Sequence, residues 1–367
     1  MSINITPPNE TLNLIGHEAF ETEFFSLWNQ GNLPHAFLLT GQLGIGKATL
    51  AYRVARYVFN QNRRVDGNIS VLDETMIPLS SININSDSKT TASRKVINKS
   101  HPNLFIIERT TSEQTKKMRQ NITLDDVKGL DSFLRMTPNE DGWRIIIIDT
   151  VDDMNINTAN NILKLLEEPP KNVLFLLISN SPGRLLPTIR SRCRTVNLKP
   201  LNIENMEQIL NGYTANYSEQ EIAAACELSE GSVSRVIQIL TEVELGSIGK
   251  IVDLLKQGSG VDRNILEDLS NSWLKRGKQP EIDQFYTTLD FILSWVSKHL
   301  RYIARNGGSF DEEMPKDIKC VQSLIDRIGM DALCERIVSA KNILDRSRNL
   351  NLDKRQIIYS VITTLAD

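Results

Sequence analysis

The chain has 367 residues, of which 40% are hydrophobic and 24% are charged, as in a globular protein long enough for two or three domains. Its 42 basic and 45 acidic side chains give a net charge of −3, which excludes a protein that binds nucleic acid through overall positive charge. The four cysteines are widely spaced without a CxxC pair, which excludes a zinc knuckle and a disulfide framework.

The N-terminal segment MSINITPPNE is polar and lacks the apolar region of a signal peptide. The longest apolar runs, IIII at 145–148 and VLFLLI at 173–178, are far too short to span a bilayer. They are typical of buried parallel strands. We therefore expect a cytoplasmic protein without membrane contact.

The segment 35–40, HAFLLT, has the pattern of a buried strand and runs into the loop GQLGIGK, after which ATLAYRVARYVF has helical spacing. This order of strand, loop and helix is typical of a phosphate-binding loop, or P-loop. Gly41, Gly44 and Gly46 allow backbone N–H groups to point at one phosphate, and Lys47 adds charge. The sequence therefore predicts a nucleotide site at this loop.

Two departures remove groups that ATP hydrolysis needs. Ala48 stands where such loops carry Ser or Thr, so no hydroxyl is present for magnesium. Asp149 ends the strand WRIIIIDT as a metal-organising carboxylate would, but the next residue, Thr150, replaces the usual water-polarising Glu. Asp152 and Asp153 are interpreted as the cap of the next helix. The sequence predicts no metal site and no required cofactor, with ATP or ADP bound without turnover left open.

Strands and helices alternate up to residue 199. LFII, WRIIIIDT and VLFLLIS read as strands, and LDDVKGLDSFLRM and NTANNILKLLEE read as helices. This alternation predicts a parallel sheet with helices on both faces. Residues 60–100 have no periodicity and are interpreted as an irregular insertion.

The last strand is followed by a predicted loop that contains PTIRSRCR, with Arg190, Arg192 and Arg194. The forked, permanently charged arginine side chain suits a γ-phosphate, and an arginine supplied in trans can accelerate phosphoryl transfer. On composition alone, however, a basic surface loop paired with carboxylates is the better explanation.

From Pro200 onward the pattern is helical. We expect an α/β P-loop domain at 1–199, a small helical lid domain at 200–243 and an all-α domain at 244–367. Apolar residues of the last domain recur at helical spacing. They are Phe285, Leu289, Ile292, Val296, Leu300 and Ile303 in one helix, and Leu333, Ile337, Ala340 and Leu344 in another.

Five segments in this order resemble bacterial clamp-loader subunits of the AAA+ superfamily: LPHAFLLTGQLGIGK, SHPNLFII, NTANNILKLLEEPP, SPGRLLPTIRSRC and SEGSVSRVIQIL. The resemblance implies an AAA+ P-loop domain, a lid and a C-terminal collar domain for oligomerisation. It implies that Arg192 of SRC is an arginine finger directed at a neighbouring subunit's ATP. It also implies that Arg235 is the sensor-2 residue of the nucleotide site, and that Ser179 or Asn180 lies in the sensor-1 region.

With the two departures at the P-loop, the resemblance implies a non-hydrolysing clamp-loader subunit that helps place a ring-shaped sliding clamp on primed DNA. The implied partners are the loader's ATPase subunits and delta, with the sliding clamp and primer-template DNA contacted through the complex. We expect no intrinsic ATPase activity in this part of a DNA-directed DNA polymerase holoenzyme. Many family members carry a four-cysteine zinc module, but the equivalent region, 60–100, has no cysteine.

Three alternatives remain open from the sequence. An ATP-hydrolysing AAA+ motor subunit is disfavoured by Ala48 and Thr150. A small-molecule P-loop kinase leaves the long helical C-terminal third without a role. A free-standing DNA-binding protein is disfavoured by the acidic balance, and salt-dependent binding would identify it.

Overall fold

In the computed structural model, the described part of the chain forms two compact units. The sheet unit lies within Asn4–Thr214 and Glu230–Ser234, and the helical unit within Met1–Ile3, Ala215–Ser229 and Arg235–Asp367. The described residues are 3, 5–61, 90–111, 119, 121–135, 142–242, 254–255, 265–268, 271, 284–305, 316–350 and 353–366.

Within the described residues, five parallel strands form one sheet in the order β2-β3-β4-β1-β5. All residues of β1 and β4 are buried, as expected for central strands covered on both faces. The four predicted strands are confirmed, and the structure adds β5. The strands are β1 Ala36–Thr40, β2 Leu104–Glu108, β3 Arg144–Asp149, β4 Val173–Ser179 and β5 Arg194–Asn197.

Helices cover both faces of the sheet because alternate side chains of a strand point to opposite sides. On β3, Ile145 and Ile147 join one core with α1 and α2, whereas Ile146 and Ile148 join a second core with α4 and α5. The helices of the sheet unit are α1 Glu18–Asn29, α2 Lys47–Gln61, α3 Thr91–Ile97, α4 Leu130–Arg135, α5 Ile156–Glu167, α6 Pro187–Arg192 and α7 Ile203–Leu210.

The helix predicted for LDDVKGLDSFLRM begins only at Leu130. The preceding residues form turns, in which the Asp126 carboxylate accepts hydrogen bonds from the backbone N–H and the hydroxyl of Thr123, at 2.8 and 2.9 Å. Gly129, with φ of +91°, then sets the entry to the helix. Local side-chain bonds of this kind compete with helix formation, which the apolar spacing did not reveal.

The interpretation of 60–100 as irregular is wrong at its C-terminal end. Thr91–Ile97 form helix α3, and the Thr90 hydroxyl caps it by accepting from the backbone N–H of Ser93. Residues 62–89, the middle of that segment, lie outside the described residues.

The helical unit supports the predicted all-α C-terminal part. In α10, Leu289, Ile292, Val296, Leu300 and Ile303 are all buried, as their spacing predicts. The side chain of Phe285 lies outside the described part, and the domain boundaries at 199/200 and 243/244 stay predictions. The longer helices beyond residue 214 are α8 Glu219–Leu228, α9 Val233–Glu242, α10 Gln284–Arg305, α11 Lys316–Ile328, α12 Met330–Leu350 and α13 Lys354–Ala366.

The predicted parallel sheet with helices on both faces and the helical C-terminal part are confirmed, whereas the small helical lid domain stays a prediction. Helix α9 starts in the sheet unit and continues in the helical unit from Arg235 onward. None of the described helices has the length and apolar character needed to cross a membrane.

Candidate functional site

The glycine loop lies where the sequence predicts it, between the buried strand β1 and helix α2, which begins at Lys47. Gly41, Gly44 and Gly46 all have positive φ angles, of +150°, +81° and +98°. At Gly44 an added Cβ would lie 2.5 Å from the hydroxyl oxygens of both Ser232 and Ser234. The loop therefore needs glycine here for its backbone conformation and for close packing.

Lys47 turns back onto its own loop. Its Nζ donates hydrogen bonds to the backbone oxygens of Gly41 at 2.7 Å and Gln42 at 2.5 Å, and the residue is only 4% exposed. Burial lowers the pKa of Lys47 from 10.5 to about 8, while the nearby carboxylates of Asp149 and Asp152 oppose this shift. The predicted phosphate-binding cation is thus held by carbonyl oxygens of this chain.

Near Lys47, one of the two positions expected to help bind a metal carries a carboxylate, and the other carries no side-chain oxygen. Asp149 ends β3 as predicted, and its carboxylate accepts a hydrogen bond from the Thr150 hydroxyl at 3.2 Å. Burial raises the pKa of Asp149, although this hydrogen bond opposes the shift. Ala48 presents only a methyl group, which packs against the core formed with α1 and α2. Among the described residues, no group of three or more His, Cys, Asp or Glu is arranged to hold a metal ion.

The prediction that Asp152 and Asp153 cap the next helix is wrong. Asn155 caps α5, and its side chain accepts from the backbone N–H of Thr158 at 2.9 Å. Asp153 instead pairs with Arg109, with 3.2 Å between its Oδ2 and the arginine Nε.

Asp152 binds the loop that follows β4, which is the predicted sensor-1 region. Its carboxylate accepts from the Ser179 hydroxyl at 2.7 Å and from the backbone N–H groups of Asn180 and Ser181 at 2.5 and 3.0 Å. These three hydrogen bonds fix the start of the chain segment that leads into helix α6. Sequence inspection missed it because the partners are 27 to 29 residues apart.

The short segment Glu230–Ser234 forms hydrogen bonds with residues 42–44 of the P-loop. Gln42 donates through its side-chain amide to the Glu230 carbonyl at 2.6 Å, and the Ser232 hydroxyl donates to the Leu43 carbonyl at 2.7 Å. The backbone N–H of Val233 donates to the Gly44 carbonyl at 3.0 Å. No sequence pattern signals these contacts, because the partners lie about 190 residues apart.

Arg235 is the next residue but one after Val233 and belongs to the helical unit. The other residues of the predicted nucleotide site lie together in the sheet unit: Gly41, Gly44, Gly46, Lys47 and Asp149. The sensor-2 role of Arg235 stays a prediction.

Arg192 lies at the end of helix α6, a short helix where the sequence indicated a loop. Its Nη1 donates to the backbone oxygen of Thr188 at 3.0 Å, and its Nη2 lies 2.7 Å from the Glu167 carboxylate at the end of α5. The Arg192 side chain is 33% exposed and that of Glu167 is 49% exposed, so this ion pair remains accessible to solvent.

The neighbours of Arg192 differ from it in environment. Arg190 is exposed on the same helix, and Arg194 pairs with Glu23. Cys193 is buried, and burial raises the pKa of its thiol to about 12, which makes it a packing residue. Cys334, in contrast, is exposed.

Comparison with known proteins finds a matching family model and relatives among the subunits of DNA polymerase III. A family model described as DNA polymerase III, delta subunit, matches residues 16–202. The DNA polymerase III subunit delta' of Pseudomonas aeruginosa is 32% identical over 172 residues, which are 46% of this chain and 45% of that protein. The subunit delta' of Bacillus subtilis is 29% identical over 178 residues, with 48% and 46% covered.

The similarity extends to a differently named subunit. The DNA polymerase III subunit tau of Escherichia coli is 23% identical over 248 residues, which are 66% of this chain and 34% of that protein. The chain thus spans less than half the length of each of these relatives. Because the family model covers just over half of its residues, the chain belongs to the DNA polymerase III delta subunit family, with similarity to delta' subunits.

Proposed function

We propose that this chain is a delta'-like, non-hydrolysing subunit of the DNA polymerase III clamp loader. In this role it supplies Arg192 to the ATP site of a neighbouring ATPase subunit while the complex loads the sliding clamp onto primed DNA. The observation that carries the proposal is the difference between the two cations: Lys47 is buried on its own loop, whereas Arg192 is accessible at a helix end.

The composition of the P-loop supports the absence of hydrolysis by the chain itself. Ala48 offers no oxygen to a magnesium ion, and Thr150 offers no carboxylate to polarise water. Two of the three N–H donors of the Lys47 ammonium already bond to loop carbonyls, so a phosphate could take only the third without displacing them. Function then requires no cofactor in this chain, and any ATP or ADP held at Gly41–Lys47 would be static.

The family and the names of the relatives support the proposed partners. The relatives described above are subunits of DNA polymerase III. The proposed partners are accordingly the ATPase subunits and delta, with the clamp and primer-template DNA reached through the complex. The helical unit would serve as the oligomerisation domain.

The decisive variant is Arg192→Ala in the reconstituted clamp loader. Hydrolysis at the site that faces residue 192 should fall by roughly 10³-fold, because a cation in trans stabilises the charge of phosphoryl transfer. The DNA-stimulated ATPase rate of the complex measures this loss. Arg190→Ala is the matched control, since it removes an exposed arginine from the same helix.

Two results would contradict the proposal. Unchanged turnover by an intact Arg192→Ala complex would exclude the finger role. Rapid magnesium-dependent ATP hydrolysis by the isolated chain would instead favour the ATP-hydrolysing motor subunit.

A further inference from the structure

Glu167 and Arg192 join the ends of two helices that carry separate sequence motifs. Glu167 is the last residue of α5, in LEEPP, and Arg192 is the last residue of α6, in SRC. The Arg192 Nη2 lies 2.7 Å from Glu167 Oε1, a distance typical of a charge-assisted hydrogen bond. The sequence separation of 25 residues hides this pairing from local pattern inspection.

Local stability does not explain the carboxylate of Glu167. A negative charge at the C-terminus of a helix opposes the helix dipole, so this position is unfavourable for α5. The ion pair is also partly exposed to solvent, and exposed pairs contribute little to folding because water and salt screen them. What Glu167 does directly is hold one nitrogen of Arg192.

We infer that Glu167 is a positioning residue for Arg192, an inference that rests on the proposed finger function. The guanidinium has two close anchors within this chain, from Nη1 to the Thr188 backbone oxygen and from Nη2 to Glu167, and Nη1 also makes a longer contact of 3.4 Å with the Ser191 hydroxyl oxygen. These two anchors fix the plane of the group and restrict the rotamers of a flexible side chain. The Arg192 side chain has therefore already lost this conformational entropy before a neighbouring subunit binds.

Arginine has enough donors for this arrangement to be compatible with phosphate contact. A guanidinium carries five N–H groups, and one bond to each anchor leaves others available to an oxyanion. The 33% exposure of the Arg192 side chain gives such an oxyanion access. Glu167 therefore orients the group without occupying all of its donors.

The test is Glu167→Ala in the reconstituted clamp loader. We expect the maximal rate of DNA-stimulated ATP hydrolysis at the facing site to fall on the order of tenfold, because a misplaced catalytic group loses rate steeply. The KM for ATP should stay constant, since the neighbouring subunit binds the nucleotide. Glu167→Gln should recover part of the rate, because its amide oxygen still accepts a hydrogen bond from Nη2.

Glu168→Ala is the matched control. Glu168 follows directly, is exposed and has the same charge, so its loss should leave the rate unchanged. In an Arg192→Ala background, Glu167→Ala should have no further effect, because Glu167 acts through Arg192. A purely structural role would instead lower the amount of intact complex, which size measurement detects.

The possible failures are distinguishable. If Arg192→Ala lowers turnover but Glu167→Ala leaves it unchanged or raises it, the positioning role is wrong and the finger role stands. If Arg192→Ala itself has no effect, both roles are wrong.

Discussion

Lys47 and Arg192 are both cations in motifs typical of nucleotide chemistry, and both belong to the sheet unit, yet their surroundings are opposite. Lys47 is 4% exposed and bonds to the carbonyls of its own loop. Arg192 keeps a third of its side chain exposed and pairs with a carboxylate that is itself half exposed. A motif therefore predicts the type of charge present, but the packing decides whether a partner can use it.

This contrast assigns different consequences to the two regions. Changes at the P-loop should alter the stability of this chain and leave the turnover of the intact complex unaffected. Changes at the α5–α6 corner, formed by Glu167 and Arg192, should lower the turnover of the intact complex and leave the stability of this chain unaffected. The Arg192 and Glu167 variants probe the second half of this statement, and variants around the P-loop probe the first.

Gly44→Ala should lower the free energy of unfolding by about 3–4 kcal/mol. The added methyl meets the hydroxyl oxygens of Ser232 and Ser234 at 2.5 Å, and alanine is also strained at a φ of +81°. Urea unfolding of the isolated chain measures this loss. The ATPase rate per intact complex should stay at its original value.

Gly129→Ala separates the cost of backbone strain from the cost of the steric contact. Gly129 has a φ of +91°, but an added Cβ meets nothing within 4 Å. Its substitution should therefore cost only about 1 kcal/mol, from backbone strain. Equal losses at the two glycines would mean that the contact with Glu230–Ser234 does not constrain the P-loop.

Lys47→Met should change how stability depends on pH. Because the folded pKa of Lys47, about 8, lies below its usual 10.5, the unfolded chain binds more protons between these values. The contribution of Lys47 to stability therefore rises with pH across this window, by about 2–3 kcal/mol. In urea unfolding at pH 8 and pH 10, the free energy of unfolding of the original chain should rise by this amount relative to that of the variant. Groups common to both chains, such as the Cys193 thiol, cancel in this difference.

Lys171→Met is the control for the general effect of removing a lysine, because Lys171 is exposed. Its pH profile should follow that of the original chain. A Lys47→Met profile that also follows the original would show that the ammonium is not desolvated in the folded state.

Asp152→Asn should destabilise the chain by about 2 kcal/mol. The amide keeps one acceptor oxygen, but its NH₂ group cannot accept from the backbone N–H groups that the second carboxylate oxygen now binds. Asp153→Asn should cost less than about 1 kcal/mol, since Asp153 forms a partly exposed ion pair with Arg109. Chemical unfolding measures both losses. Similar losses for the two variants would show that the hydrogen bonds of Asp152 to the loop after β4 do not stabilise the chain.

The sequence was most informative where burial itself creates the pattern. Continuous apolar runs such as IIII at 145–148 predicted the central strands, because a strand covered on both faces carries apolar residues throughout. β5 escaped detection because Arg194–Asn197 lie at the edge of the sheet and are largely exposed. An edge strand leaves no comparable run of apolar residues.

Helix ends were harder to predict because short polar contacts decide them. The Asp126 bonds delay the start of α4, and Thr90 starts a helix in a polar segment without clear periodicity. The cap of α5 was assigned to the wrong residues because Asp152 and Asn155 are both suitable N-cap types. Only the contacts with Ser179, Asn180 and Ser181 distinguish them.

At the candidate site, the sequence identified the chemical groups and missed their partners. Gly41–Lys47 are contiguous, and Asp149 ends a predicted strand, so local reasoning reached them. The bonds from Glu167 to Arg192 and from Ser232 to Leu43 join distant segments that only the fold brings together. Those bonds distinguish a buried lysine from an accessible arginine.

The return of Glu230–Ser234 to the sheet unit limits where this chain can be divided. The chain enters the helical unit at Ala215, comes back for these five residues and leaves again at Arg235. A chain truncated near residue 214 would lack the donors that bind the carbonyls of Leu43 and Gly44. A gene fusion or recombination junction that preserves the P-loop therefore has to fall beyond Ser234, well past the last strand.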